Sequence, residues 1–435
     1  MRTCVIGAGA AGIASARALQ AAHVSFDWFE RTNAIGGNWR SGVYDSTHLI
    51  SSRSTSGFPD LPMPRAYPNF PGRVQVLRYL EAYAEHFGLT DQATLGVEVR
   101  RVRSEDPRRP AAWQAELSTG DRRRYDAVIV TNGHLWDARV PQYPGTFAGK
   151  TLHSRNYRAP ADLDGDRVLV VGAGNSACDI AVEAAQAGKE VLLSVRRGHW
   201  FIPKSLFGVP RGELRLQRLP APLRQLALGS LSRVALGRNE RYGLPVPDHS
   251  LGAEPPIISS QLFYSIDHGA ITPRPAIERL QGDRVRFVDG AVEAVDTIVW
   301  ATGYRVSFPF LDSELLRWRD GIPERVAAGT LTPDVCGLYF VGLVTPGGGN
   351  FPVHHAQARL VADLIATQAT STVPLSMSIF PRERPDARMY FSVDELLRQV
   401  RAAQRKVARN NGRQRAPGSA IAQARIWRPM LRRRP

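Results

Sequence analysis

Phe147-Ala-Gly-Lys-Thr-Leu-His-Ser-Arg-Asn-Tyr157, followed after ten residues by Val168-Leu-Val-Val-Gly-Ala-Gly-Asn-Ser-Ala177, decides the fold. The first piece closes one nucleotide-binding unit and the second opens another. Two dinucleotides held face to face in one chain predict electron transfer between them.

In the second piece a strand, Val168–Val171, runs into Gly172-x-Gly174-x-x-Ala177 and a helix that opens with Asn175 and Ser176. Strand, tight turn and helix start bring free N–H groups to a pyrophosphate, and Ala for the third glycine still permits close packing. The next strand, Glu190–Val195, ends in Arg196-Arg197 instead of an acid. Guanidinium groups bind a 2′-phosphate bidentately, so this site predicts NADPH over NADH. Later, Ala301-Thr302-Gly303-Tyr304 closes the strand 296–300 and brings small residues near a nucleotide or the domain hinge.

Working back, Arg2–Ile6 is a short strand and Gly7-x-Gly9-x-x-Gly12 opens an Ala-rich helix. A second strand ends at Glu30, where a carboxylate accepts both ribose hydroxyls of an adenosine. Gly37, Asn38 and Trp39 then set backbone and an indole wall against a flat ligand. The segment His48–Pro71 reads as a loop over the site, and 73–87 as a helix. Past the second unit, 338–342 is a buried strand, and a helix from Gln357 to Thr367 starts facing the first ligand. The fold class is α/β: two Rossmann-like units with three-layer sheets, the second inserted into the first. The expected ranges are 1–158 with 325–395 for the first unit and 162–324 for the second. A helical insert at about 205–250 places Leu223, Leu226, Ala227, Leu231 and Val234 on one packed face.

Composition narrows the function. No apolar run approaches the ~18 residues of a transmembrane helix. Cys4, Cys178 and Cys336 form no Cys-x-x-Cys pair, which fits a reducing cytoplasm, and no histidine spacing suits a metal. The net charge of +16 is uneven: after Glu395 come twelve cations and no acid, leaving the body near +4. Residues 396–435 read as a basic, solvated helix and tail; without aromatic interleaving they argue weakly for nucleic acid or an anionic membrane.

On these residues the chain resembles the flavin-containing monooxygenases, single-component enzymes that use FAD and NADPH. The likeness covers roughly residues 2–370 and rests on both glycine motifs, Gly36-Gly37-Asn38-Trp39, Phe58-Pro-Asp-Leu-Pro62 and Ala301-Thr-Gly-Tyr304. Its most specific part is Phe-x-Gly-x-x-x-His-x-x-x-Tyr at 147–157, fixed at three separations. The resemblance implies that FAD lies against Gly7, Gly9, Gly12, Glu30, Gly37, Asn38, Trp39 and Gln357. NADPH would lie against Gly172, Gly174, Asn175, Ser176, Arg196, Arg197, Thr302 and Gly303. It also implies hydride transfer to FAD, capture of dioxygen as a hydroperoxide, and oxygenation of a nitrogen or sulfur atom in a small substrate. Related Baeyer–Villiger enzymes end the fingerprint in Trp, and Tyr157-Arg158 leans away from ketone oxygenation without removing it as the alternative. Ile50 stands where some members carry an Asn near the flavin. Ser52 and Asn69 are then candidate polar groups at the reacting end, alongside Ser51 and bound NADP, and His153 a hinge or proton-transfer residue.

A flavin oxidase or a pyridine-nucleotide reductase on the same fold is the rival enzyme. A disulfide or quinone reductase would show a redox cysteine pair or a quinone site, and an Asp after Gly342, where Leu343 stands. A nucleotide-sensing module tethered by its basic tail is the rival without catalysis. A homodimer stays open.

Overall fold

The structure is a computed structural model that describes residues 1–108, 113–214 and 219–414. The chain opens with β1 (Arg2–Ile6), α1 (Ala10–Ala21) and β2 (Ser25–Glu30), followed by α2 (Arg73–His86) and β3 (Ala93–Leu95). A small antiparallel sheet of 99–104, 113–117 and 122–125 precedes β4 (Ala127–Val130). The second unit holds β5 (Lys150–His153), β6 (Arg167–Val171), α3 (Asn175–Gln186) and β7 (Glu190–Ser194). Then come α4 (Ala221–Leu236), β8 (Ile271–Arg274) and β9 (Thr297–Trp300). Finally β10 (Leu338–Phe340), α5 (Asn350–Gln368) and α6 (Val393–Gln414) complete the first unit.

The first sheet has the order β10-β4-β1-β2-β3, all parallel. Strands β1 and β4 are buried along almost their whole length, as apolar strands covered on both faces must be. Connections leave β1 in opposite directions, so a crevice opens at its carboxyl end, where the first glycine turn sits. The second sheet repeats the scheme in the order β5-β9-β6-β7-β8, again parallel.

Several expectations need correction. The chain enters the second unit well before residue 158: 145–147 pairs with 280–282, and β5 pairs with β9 from Lys150↔Thr297 to His153↔Trp300. A short edge strand with exposed Lys150 and Thr151 carries no pattern that assigns it to one sheet or the other. The return is also earlier than 325, because the Phe310 carbonyl already accepts the Val102 N–H at 2.7 Å. Helix α5 begins at Asn350, seven residues ahead of Gln357, since Pro352 falls in its first turn, where a missing N–H costs nothing.

The insert differs most. Leu231 packs against the insert's core and Ala227 is half-buried, but Leu223, Leu226 and Val234 on the same side of α4 are 55, 69 and 86% exposed. The helix leans inward through Leu228, Gly229 and Ser232, onto Trp200 and Leu251. In contrast, α6 is more than a solvated helix. Leu396, Val400, Ala403 and Val407 are buried along one face against α5, while Arg398, Arg401, Arg405 and Lys406 stay outside. The tail 415–435 lies outside the described residues.

Candidate active site

The crevice at the end of β1 is the mouth of a cleft with about 1370 Å³ of empty space, its opening included. It runs from Glu30 and 97–99, over the turn 7–11, to Trp39, 342–344 and the start of α5. The turn is built for close approach. A Cβ on Gly12 would stand 2.0 Å from the Gly7 carbonyl, and one on Gly37 2.8 Å from the Gly9 Cα. The indole N–H of Trp28 fixes the same turn by donating to the Gly7 carbonyl at 2.9 Å. At the strand end, the Glu30 carboxylate accepts the Ala8 N–H at 2.7 Å and the Thr32 N–H at 2.9 Å, so its orientation is set before any ribose arrives.

The cleft also matches a dinucleotide in charge. Arg31 and Arg155 both line it, Arg31 with its guanidinium over the Trp136 ring at 5.5 Å. One terminal nitrogen of Arg155 is buried without a hydrogen-bond partner. With the N-terminus of α1, these cations suit a pyrophosphate. At the opposite end, Asn38 donates to the Leu135 carbonyl at 2.8 Å and ties the two walls together. The residues present therefore fit FAD.

Of the residues expected at this site, Gly7, Gly9, Glu30, Gly37, Asn38 and Trp39 line the cleft. Gly12 does not, because its role is packing against Gly7 and Trp28. Gln357 lies one layer behind: its side chain is wholly buried, accepting the Gly342 N–H at 3.1 Å and donating to the Ala328 carbonyl at 2.9 Å. The expectation of direct contact fails because α5 starts two turns earlier and turns other residues inward.

The three catalytic candidates fall outside the cleft lining. The Ser52 hydroxyl is buried against the hydroxyls of Ser54 and Thr55, each at 3.1 Å. Asn69 is exposed, and its carbonyl accepts the Arg53 N–H. His153 is buried with both ring nitrogens occupied. Its Nδ1 accepts the Arg155 N–H at 3.1 Å, which leaves the proton on Nε2, 3.0 Å from the Gly303 carbonyl. Burial lowers its pKa further. A neutral imidazole with no free lone pair is a hinge pin between β5 and the 301–304 turn, and cannot serve as a base there. Ser51 is bonded to the Ser56 hydroxyl at 2.8 Å, and Ile50 is 36% exposed; neither lines the cleft.

Sequence reasoning missed His134 and His354, which line the inner end of the cleft. Each has an Nδ1 without a partner, and burial holds each pKa down at about 4. Both remain neutral at ordinary pH. The available signal was helical phase: adjacent His354 and His355 lie about 100° apart on α5. One turns into the cleft while the other faces Asp60 at 3.6 Å.

At the second glycine motif, Gly172 and Gly174 lead into α3 as expected. The Asn175 side-chain oxygen is spent on the Ile258 N–H at 2.8 Å, and the Thr302 hydroxyl donates to the Arg139 carbonyl. Arg196 is exposed and makes no ion pair among the described residues. Arg197 forms a fork with Glu254, at 2.8 and 2.7 Å. The motif fits NADPH, and Arg196 is exposed with no acid engaging it among the described residues. Among the described residues, no cluster of three or more His, Cys, Asp or Glu could hold a metal ion.

A family model described as flavin-binding monooxygenase-like matches residues 1–390. The N-oxide-forming dimethylaniline monooxygenase 2 of Rattus norvegicus is 33% identical over 392 residues, 82% of this chain and 72% of the relative. Flavin-containing monooxygenase 1 of Mus musculus is 31% identical over 88% of this chain and 77% of its own. Among solved structures, a flavin-containing monooxygenase from Stenotrophomonas maltophilia superposes with a TM-score of 0.66 at 22% identity, covering 85% of this chain and 99% of that one. NADP+-bound cyclohexanone monooxygenase from Rhodococcus sp. Phi1 superposes at 0.70 with 17% identity, covering 94% and 97%. A family match over most of the chain, with relatives above 30% identity, means that this protein belongs to the flavin-binding monooxygenases and is an oxidoreductase that works with FAD and NADPH.

Proposed function

We propose that the protein transfers one oxygen atom of dioxygen to a nitrogen or sulfur atom of a small soft nucleophile. The observation that carries this is its 33% identity to a relative named for N-oxide formation. FAD, when bound, takes two electrons from NADPH and supplies the oxygen chemistry. The chain's own residues bind, orient and exclude water. Glu30 holds the adenosine end, the turn 7–11 and Arg155 hold the pyrophosphate, and Trp39 with the start of α5 encloses the reacting end. An amine or sulfide attacks through its own lone pair, so no protein base is needed, in keeping with a His153 whose nitrogens are both engaged. For compartment, three buried, unpaired cysteines support a reducing cytoplasm. Among the described residues, no helix is long and apolar enough to cross a membrane.

The test supplies NADPH and 18O-labelled dioxygen with dimethylaniline, methyl phenyl sulfide or cyclohexanone, and follows the label by mass spectrometry. Labelled N-oxide or sulfoxide is the expected product. Labelled lactone alone would move the enzyme to Baeyer–Villiger chemistry, and peroxide with no oxygenated product would make it an oxidase.

A further inference from the structure

A buried cation stands behind the inner end of the cleft with no ion-pair partner among the described residues. Arg325 is 2% exposed. Its guanidinium donates to three backbone carbonyls, those of Pro323 at 3.1 Å, Arg388 at 3.0 Å and Leu343, and reaches the Met389 sulfur at 3.7 Å. Among the described residues no carboxylate forms an ion pair with it. Asp386, the nearest acidic influence, spends its own side chain on Arg388. Taking an unpaired charge out of water is costly. A fold that keeps one has it satisfied by dipoles, by a partner absent from the polypeptide, or by both.

The position of the charge indicates that partner. Leu343, whose carbonyl Arg325 grips, lies between Gly342 and Val344, which both line the cleft. Arg325 also acts on His134, another lining residue, whose protonation it opposes. The two imidazoles there, His134 and His354, stay uncharged, so they neither cancel nor add to the field. The N-terminus of α5 opens on the same end and contributes the same sign. Glu30 marks the adenosine end of the cleft and the 7–11 turn its pyrophosphate, so this opposite end receives the flavin ring.

Hydride transfer delivers one proton and two electrons. NADPH would become NADP+, and bound FAD would gain one negative charge, carried on its ring unless a second proton arrives. We propose that Arg325 is the counter-charge for reduced FAD: a positioning residue one backbone layer behind the cleft wall, whose cation favours the anionic reduced cofactor over the neutral oxidised one and so raises its reduction potential. The inference rests on FAD occupying this cleft.

The experiment is an equilibrium redox titration of the FAD-loaded protein against reference dyes, with FAD affinity measured for each redox state. Arg325→Gln removes the charge. Met389→Glu instead places a carboxylate beside the guanidinium and neutralises it while leaving its three bonds to backbone carbonyls in place, and Met389→Gln is its uncharged control. Loss of the charge should weaken reduced FAD about tenfold more than oxidised FAD, a fall of about 30 mV for this two-electron couple. Met389→Glu should do likewise and Met389→Gln should not. Should Arg325→Gln fail to fold, the Met389 pair decides alone. Equal weakening of both redox forms, or an unchanged potential with the carboxylate in place, overturns the proposal while leaving FAD in the cleft. A wild-type protein that takes up no FAD overturns the cleft assignment itself, and this inference with it.

Discussion

The two adjacent arginines proposed to set coenzyme choice at the second glycine motif have different occupations. Arg197 is forked onto Glu254, whereas Arg196 is exposed and free of any ion pair among the described residues. A charged hydrogen bond is worth ~1.5–3 kcal/mol, or about ten- to a hundredfold in affinity. Arg196→Ala should therefore raise the KM for NADPH by about that factor and leave NADH almost unchanged. Arg197→Ala should cost less, because binding through Arg197 must first break its fork with Glu254. For the same reason, Glu254→Gln should tighten NADPH. Steady-state kinetics with both coenzymes decides; equal losses from the two alanine variants would show that Arg197 leaves Glu254 freely. The sequence showed that two guanidinium groups end the strand. It could not show that an acid fifty-seven residues away had claimed one of them.

Helix α4 shows what periodicity can and cannot tell. The spacing of Leu223, Leu226 and Val234 does place them on one face, yet that face looks outward. Periodicity reports which residues share a face; what the face meets depends on neighbours, here Trp200 and Leu251, that only the fold brings in. The consequence is measurable by chemical denaturation. Leu226→Glu, on a 69% exposed side chain, should change stability by no more than about 0.5 kcal/mol. Leu228→Ala, on an 8% exposed one, should cost about 2–3 kcal/mol, at the low end of core truncations because the helix sits at the edge of a small cluster. A large loss from Leu226→Glu would mean that this face is covered in solution. The glycine turns, by contrast, were readable because their chemistry is local: strand, turn and helix start are contiguous. His134 and His354 were not, since 220 residues separate them and their meeting depends on β4 and α5 closing the same cleft.

At the scale of the whole molecule, two nucleotide units must meet at one distance for hydride to pass. The fold supplies a latch for this. Asp179 and Glu183 lie one turn apart on α3 of the second unit. Asp179 accepts the Tyr44 hydroxyl at 2.8 Å, and Glu183 accepts those of Tyr157 at 2.9 Å and Ser46 at 3.2 Å. Tyr44 and Ser46 belong to the first unit; Tyr157 follows β5 in the second, where its ring packs against Tyr44 at 6.2 Å between centroids. Arg158, also past β5, reinforces the contact by donating to the Val43 carbonyl at 2.9 Å. Burial drives the pKa of both tyrosines upward, so they remain donors at any working pH. Removing both hydroxyls, as Tyr44→Phe with Tyr157→Phe, leaves the partly exposed carboxylates to water and both glycine motifs intact. FAD content and NADPH affinity should then stay within about twofold of the wild type. Hydride transfer, however, needs its reacting atoms ~3–3.5 Å apart, and a displacement of about 1 Å costs on the order of a hundredfold. Anaerobic stopped-flow reduction of FAD by NADPH should slow by about ten- to a hundredfold in the double variant. An unchanged rate would mean that other contacts set the meeting of the units, and that Asp179 and Glu183 merely decorate the interface.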